Sequence, residues 1–350
     1  MRRLPVYFLI DVSESMAGDP IEQVQEGMAA IIRELRKDPY ALETVWVSVV
    51  AFAGQAKTLA TLQEIISFYP PRFPLGSGTS LSKGLGHLMY ELRKNIVATT
   101  YDEKGDWKPI VFLFTDGVPT DNSSELRAAI AEWKRNWQRK VNLVAISFGD
   151  NTDSRLLGEL TENVMLFKDT DSESYKAFFK WVTASIQTSS KAVDKNPEGI
   201  ELAGADGETV SKIDLAKGDR QPPATDPFIV LLGKCQQTKQ AYVIKYKKHV
   251  FEDASGDIGL DYRLVGAYKV DDTYFELADE QGSNLKISTN KLIGFPPCPC
   301  CGNPYGIAFD GSCGKIHCVG TEKMNTCPWC GNRAEYSAGG DGFDVNRAKG

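Results

Sequence analysis

Five oxygen-bearing residues and eight thiols carry the chemistry that this chain could do. Asp11, Ser13 and Ser15 stand at alternate positions, D-x-S-x-S, directly after the apolar run LPVYFLI. Thr79 lies in the turn GSGTSL just ahead of a helical pattern, and Asp116 ends a second apolar run in IVFLFTDG. Carboxylates and hydroxyls are hard oxygen donors, the ligands that Mg²⁺ takes at roughly 2.1 Å in octahedral geometry. D-x-S-x-S alone is a weak signal, since Asp11 and Ser13 also suit a helix cap and Asp116 before Gly117 suits a turn. Three oxygen-bearing loops at the ends of separate strands make a constellation.

The thiols point to a second chemistry. Seven of the eight cysteines crowd between Cys298 and Cys330, while Cys235 stands alone and reads as a packed core thiol. Crowding of this kind indicates metal binding more than a disulfide framework. Cys298–Cys301 and Cys327–Cys330 form two C-x-x-C-G-N knuckles, each offering two thiolates from one tight turn. Together Cys298, Cys301, Cys327 and Cys330 would satisfy one tetrahedral Zn²⁺, which would supply much of the folding free energy of so short a segment. Cys300, Cys313 and Cys318, with His317 beside the last, are extra donors, and Cys313 and Cys318 are candidates for a second zinc. C-P-W-C superficially resembles a redox dithiol, but no thioredoxin-like context surrounds it.

The elements that must position these groups alternate in kind. Strand-like runs cover Leu4–Ile10, Val45–Phe52, Ile110–Thr115, Val141–Phe148 and Val164–Phe167. Helical spacing joins Ile21, Val24, Met28, Ile31 and Leu35, then Leu81, Leu85, Leu88 and Leu92. It recurs in Leu126, Ile130, Trp133 and Trp137, and in Tyr175, Phe178, Phe179, Val182 and Ile186. His87 falls inside the second of these helices and reads as structural. The fold class is α/β, a doubly wound and mostly parallel sheet over residues 1–190, with one antiparallel edge hairpin through Lys57–Leu62. Ligands of such sheets sit beyond the carboxyl ends of the strands, where Asp11 and Asp116 lie. A linker at 191–198 leads to a small antiparallel β domain over 199–295, with strands at Phe228–Leu232, Ala241–Tyr246, Tyr262–Val270 and Thr273–Ala278. Within it, 217–227 reads as a loop, and EDASGDIGLDY as a solvated turn whose spacing does not match a calcium loop. A zinc ribbon over 296–336 and a disordered tail over 337–350 complete the expected order.

Composition narrows the function class. Over 350 residues, 42% are hydrophobic and 25% charged, an ordinary globular balance. A net charge of −6 argues against nucleic acid or an anionic membrane as the main partner. The few cations of the ribbon segment, Lys315, Lys323 and Arg333, lack the aromatic interleaving of a strand-binding platform. Met1-Arg2-Arg3 before an apolar run superficially resembles a signal peptide, but the run stops at Asp11 without a small-residue cleavage site. A cytoplasmic protein with no membrane span is expected.

Asp11, Ser13, Ser15, Thr79 and Asp116 together resemble the metal-ion-dependent adhesion site of the von Willebrand factor A domain. The resemblance implies that all five hold Mg²⁺, the three hydroxyls directly, with the two carboxylates setting its charge and orientation. A site so poor in charge would keep a water that an acidic residue of a partner protein can displace. The combination with a carboxy-terminal C-P-x-C-G and C-P-W-C-G ribbon resembles the TerY family of bacterial tellurium- and stress-resistance proteins. That resemblance implies an adaptor or scaffold working with a protein kinase and a metal-dependent protein phosphatase. The alternative is a Mg²⁺-dependent phosphoesterase using Asp11 as nucleophile, against which the motif positions after Asp11 are Ser13 and Ser15 where a second carboxylate is wanted, and the basic group nearest Thr79 or Asp116 is Lys83.

Overall fold

The computed structural model describes residues 2–116, 118–148, 153–167, 172–192, 200, 202–204, 210–213, 227–252, 256–279, 285–336 and 342–347. The chain divides into two units. One holds Met1–Val12, Asp19–Phe73 and Thr79–Pro222; the other holds Ser13–Gly18, Pro74–Gly78 and Pro223–Gly350.

The first unit runs β1 (Leu4–Asp11), α1 (Asp19–Leu35), α2 (Pro39–Thr44), β2 (Val45–Phe52), β3 (Ala56–Glu64), α3 (Leu81–Asn95), β4 (Ile110–Thr115), α4 (Ser123–Asn136), β5 (Asn142–Phe148), α5 (Ser154–Leu160), β6 (Val164–Phe167), α6 (Ser172–Ala192) and β7 (Val210–Lys212). Its sheet has the order β3-β2-β1-β4-β5-β6-β7. The five inner strands are parallel, and β3 and β7 close the edges antiparallel. β1 and β4 are buried at every position, which is why they are apolar up to Ile10 and Phe114 instead of alternating. The helical faces expected from spacing pack inward: Val24, Met28, Ile31 and Leu35 in α1, Leu81, Leu85, Leu88 and Leu92 in α3. The expected linker at 191–198 begins within α6, and 193–198 lie outside the described residues. β7 lies beyond the expected boundary at 190 yet completes the first sheet by pairing with β6.

The second unit contains β8 (Phe228–Lys234), β9 (Ala241–Glu252), β10 (Ile258–Lys269), α7 (Thr273–Glu276), β11 (Lys286–Ser288), β12 (Leu292–Ile293), β13 (Tyr305–Asp310), β14 (Lys315–Val319), β15 (Met324–Thr326), β16 (Arg333–Glu335) and β17 (Asp344–Asn346). Its main sheet has the order β12-β10-β9-β8-β14-β13. The separate β domain and zinc ribbon expected from sequence are therefore one body, because β14 pairs parallel with β8. The tail expected to be disordered supplies β17, antiparallel to β11; 337–341 and 348–350 lie outside the described residues, as does most of the 217–227 loop. TYFELA is helical over Thr273–Glu276 instead of extended. Asp271 accepts from the Thr273 N–H at 3.1 Å, and its carbonyl accepts from the Tyr274 N–H, a local capture that competes with strand pairing.

Candidate metal centres

Asp11 is the last residue of β1, wholly buried, and its Oδ2 accepts the Thr115 hydroxyl at 2.8 Å. Thr115 ends β4, which pairs with β1 through Ile10↔Phe114, and Asp116 follows it. The two carboxylates are thus set by neighbouring strands whose register is fixed by continuous apolar burial. Thr79 is held by a reciprocal pair with Thr120: its N–H donates to Thr120 Oγ1 at 2.9 Å, and the Thr120 N–H donates to its carbonyl at 2.8 Å. Asp121 braces the same turn. It accepts from Ser80 Oγ at 2.6 Å, Leu81 N–H at 2.7 Å, Ser82 N–H at 3.1 Å and the Ser82 hydroxyl. Thr120 and Asp121 went unnoticed in the sequence, because their work is on a loop about forty residues upstream.

Ser13 and Ser15 belong to the second unit. Both are buried and their hydroxyl oxygens are 3.0 Å apart. Two adjacent ligands of an octahedral ion at roughly 2.1 Å are separated by about 3.0 Å, so this pair has the spacing of one edge of such a shell. By residue type these two serines, like Asp11, Thr79 and Asp116 of the first unit, offer only oxygen, the donor that a hard divalent cation takes.

The cysteines sort differently from the single ribbon site. Cys298 and Cys301 join Cys235 and Cys318, whereas Cys327 and Cys330 join Cys313 and Asp310, with ligand atoms in each group mutually within 4.8 Å. Cys235 is packed in the core as expected and also stands in the first of these groups, while Cys313 and Cys318 stand in different groups. Cys300 and His317 belong to neither. Tetrahedral zinc with sulfur at roughly 2.3 Å spaces its ligands about 3.8 Å apart. Cys301 and Cys318 Sγ are 3.8 Å apart, and Cys313 and Cys327 Sγ 3.7 Å. Both groups therefore could hold a metal of that kind.

Four turns of one design present seven of these eight ligands, and Cys318 lies on β14. In each, the N–H four residues on donates to the first ligand's carbonyl: Lys239 to Cys235 at 3.1 Å, Gly302 to Cys298 at 2.9 Å, Gly314 to Asp310 at 2.7 Å and Gly331 to Cys327 at 3.0 Å. The donor residue is left-handed every time, with φ of 61°, 76°, 70° and 80°. Glycine takes that conformation freely; Lys239 is the exception and carries a steric cost. The signal was present in D-G-S-C-G, which is C-x-x-C-G with Asp in the first place, and fainter in C-Q-Q-T-K. What brings Cys235 to Cys318 is topology: the parallel register Ile316↔Gly233 and His317↔Lys234.

Asp310 suits a ligand's role. Burial resists its ionisation, but hydrogen bonds from Cys327 and from the Ser312 and Cys313 N–H groups outweigh this and hold its pKa at about 2. Cys327 is pushed up to about 12, chiefly by burial, so a bound cation is what would make that thiol a thiolate. His317, fully buried, contacts the Cys318 carbonyl through Nδ1 at 3.0 Å and the Tyr336 hydroxyl through Nε2 at 2.9 Å. Burial lowers its pKa, and it stands outside both ligand groups.

Residues 6–181 match the von Willebrand factor type A domain, and residues 225–350 match the TerY-C metal binding domain. The chain is 30% identical over 156 residues to human (Homo sapiens) inter-alpha-trypsin inhibitor heavy chain H1, covering 43% of this chain and 17% of that protein. It is 25% identical over 175 residues to human heavy chain H6, covering 48% of this chain and 13% of that protein. The chain thus spans less than a fifth of the length of these relatives. Among solved structures, proximal thread matrix protein 1 from the mussel byssus, with a zinc-occupied MIDAS motif, shares 19% identity at a TM-score of 0.36, covering 52% of this chain and 46% of that one. No helix among the described residues is long and apolar enough to cross a membrane. With the type A match over half its length and the metal binding domain after it, this chain belongs to the von Willebrand factor type A family and has the TerY-like architecture.

Proposed function

We propose that the protein is a non-enzymatic adaptor that binds partner proteins through Mg²⁺ at the D-x-S-x-S site, with Zn²⁺ in both cysteine clusters. The observation that carries this reading is the Ser13–Ser15 hydroxyl pair at 3.0 Å, the separation of neighbouring ligands around Mg²⁺. A bound Mg²⁺ would offer a coordination position to a carboxylate brought by the partner. Ser13, Ser15 and Thr79 supply neutral oxygens, and Asp11, steadied by Thr115, and Asp116 supply the negative charge. Three neutral ligands leave the site short of negative charge, which favours an acidic residue as anchor. The family resemblance extends the proposal to a protein kinase and a metal-dependent protein phosphatase as partners, in a cytoplasmic response to tellurium or related stress. The engagement of Asp11 Oδ2 by Thr115, together with full burial, suits a carboxylate that holds charge in place more than a nucleophile for phosphoryl transfer.

The test is partner capture in Mg²⁺-containing buffer, comparing wild type with Asp116→Ala, both checked for folding and zinc content. A kinase or phosphatase held by wild type and lost by the variant supports the proposal. Equal retention of the same partners by both overturns it.

A further inference from the structure

The segment Ser13–Gly18 is gripped by side chains that have no part in the ligand sets above. Glu14, between the two serines, is fully buried. One of its carboxylate oxygens accepts the Tyr274 hydroxyl, and the other lies 3.4 Å from the Gly78 N–H in the turn just before Thr79. Lys245 of β9, only 2% exposed, donates to the Ser15 carbonyl and, at 3.1 Å, to the Ala17 carbonyl. Its ammonium stands 4.3 Å from the centre of the Phe228 ring. Ala17 packs among Val230, Val243, Val270 and Tyr274. Gly18, with φ of +86°, abuts the Tyr268 ring so closely that a Cβ there would overlap it. All of these residues lie in the second unit.

Burying a carboxylate and an ammonium is costly unless directed hydrogen bonds compensate. Here the bonds converge on one short helical turn, Glu14–Met16. Neutral hydroxyl ligands contribute little attraction individually, so their usefulness depends on being placed beforehand.

We propose that Glu14, Tyr274 and Lys245 are positioning residues that hold the Ser13 and Ser15 hydroxyls in place for the cation. This inference rests on the proposed function and deepens it. Its consequence is that the placing of the Ser13 and Ser15 hydroxyls depends on residues of the carboxy-terminal unit.

Mn²⁺ serves as the probe, titrated by electron paramagnetic resonance into the zinc-loaded full chain. Tyr274→Phe, which removes one hydrogen bond to a charged group, and Lys245→Met, which removes two from a charged group, are each expected to weaken Mn²⁺ binding by at least about 10-fold. Glu14→Gln, which keeps an acceptor for Tyr274, should lose less than Glu14→Ala. Ser13→Ala is the reference for the site itself. If Ser13→Ala weakens binding while the Tyr274, Lys245 and Glu14 variants bind Mn²⁺ as wild type does, with only their melting temperatures lowered, the positioning role is overturned. If Ser13→Ala also binds normally, the adhesion-site reading itself fails. Should Lys245→Met not fold, Tyr274→Phe, which removes a single oxygen, carries the test.

Discussion

Replacing Cys235 with serine removes one ligand from the Cys235/Cys298/Cys301/Cys318 group and leaves the Asp310 group untouched. Structural zinc contributes roughly 10–16 kcal/mol of apparent binding free energy at neutral pH; shared over four ligands, that is about 2.5–4 kcal/mol each, or a factor of roughly one hundred to one thousand in affinity. Local hydrogen bonds to the Cys235 sulfur, such as that from the Thr238 N–H at 3.3 Å, are long and weak beside a metal–thiolate bond. Competition with a chromophoric chelator at pH 7 resolves the result. Wild type should hold two zinc ions, and Cys235→Ser should release one of them roughly one hundred- to one thousand-fold more readily. Asp310→Ala should weaken the other ion and spare the first. Two tightly held ions in Cys235→Ser would refute the division into two groups. So would a single common site weakened alike by Cys298→Ser and Cys327→Ser.

Three further outcomes follow from particular contacts. Asp121→Ala strips four hydrogen bonds from the turn that carries Thr79 and should cost about 2 kcal/mol in urea unfolding; an unshifted midpoint would remove Asp121 from its bracing role. Lys239→Gly relieves the left-handed lysine at φ 61° and should stabilise the zinc-loaded protein by about 0.5 kcal/mol, the steric relief being partly offset by unfolded-chain entropy. A loss of stability would mean that the Cys235 turn does not share the glycine knuckles' geometry. Burial lowers the pKa of His87, Glu91's charge acting against it, so the fold prefers the neutral imidazole and the unfolded chain binds the extra proton. Stability therefore falls as pH drops below about 6.5, and His87→Gln should flatten that slope; an identical slope in the variant would exclude His87 as a contributor.

The first unit was legible because its strands are buried on both faces. LPVYFLI, VWVSVVAF and IVFLFT admit few other environments, and the residues following the first and the third of these runs are carboxylates that local pattern alone exposes. α5 was too short to announce itself by periodicity, and its start depends on Asp153 accepting from two N–H groups. The metal clusters were half legible. Each knuckle is a local motif, but the pairing of knuckles is a tertiary fact, fixed when β14 lies parallel to β8 and brings Cys318 to Cys235, 83 residues away in sequence. Asp310 was hidden by its residue type, although its turn repeats the spacing of the cysteine knuckles. Glu14, Lys245 and Tyr274 gave no signal, since a buried charge looks in sequence like any surface charge.

The most direct test of the central claim is the cation dependence of partner binding with the zinc content held constant. The captured partner is titrated against the full chain in buffer passed over a resin to remove Mg²⁺, without added chelator, and then with Mg²⁺ restored. Elemental analysis confirms two zinc ions per chain in both conditions. The expected result is binding that disappears without Mg²⁺, returns with it, and fails when the partner's anchoring Asp or Glu is changed to its amide. Undiminished binding in Mg²⁺-free buffer by a chain that retains its zinc would contradict a metal-anchored interaction.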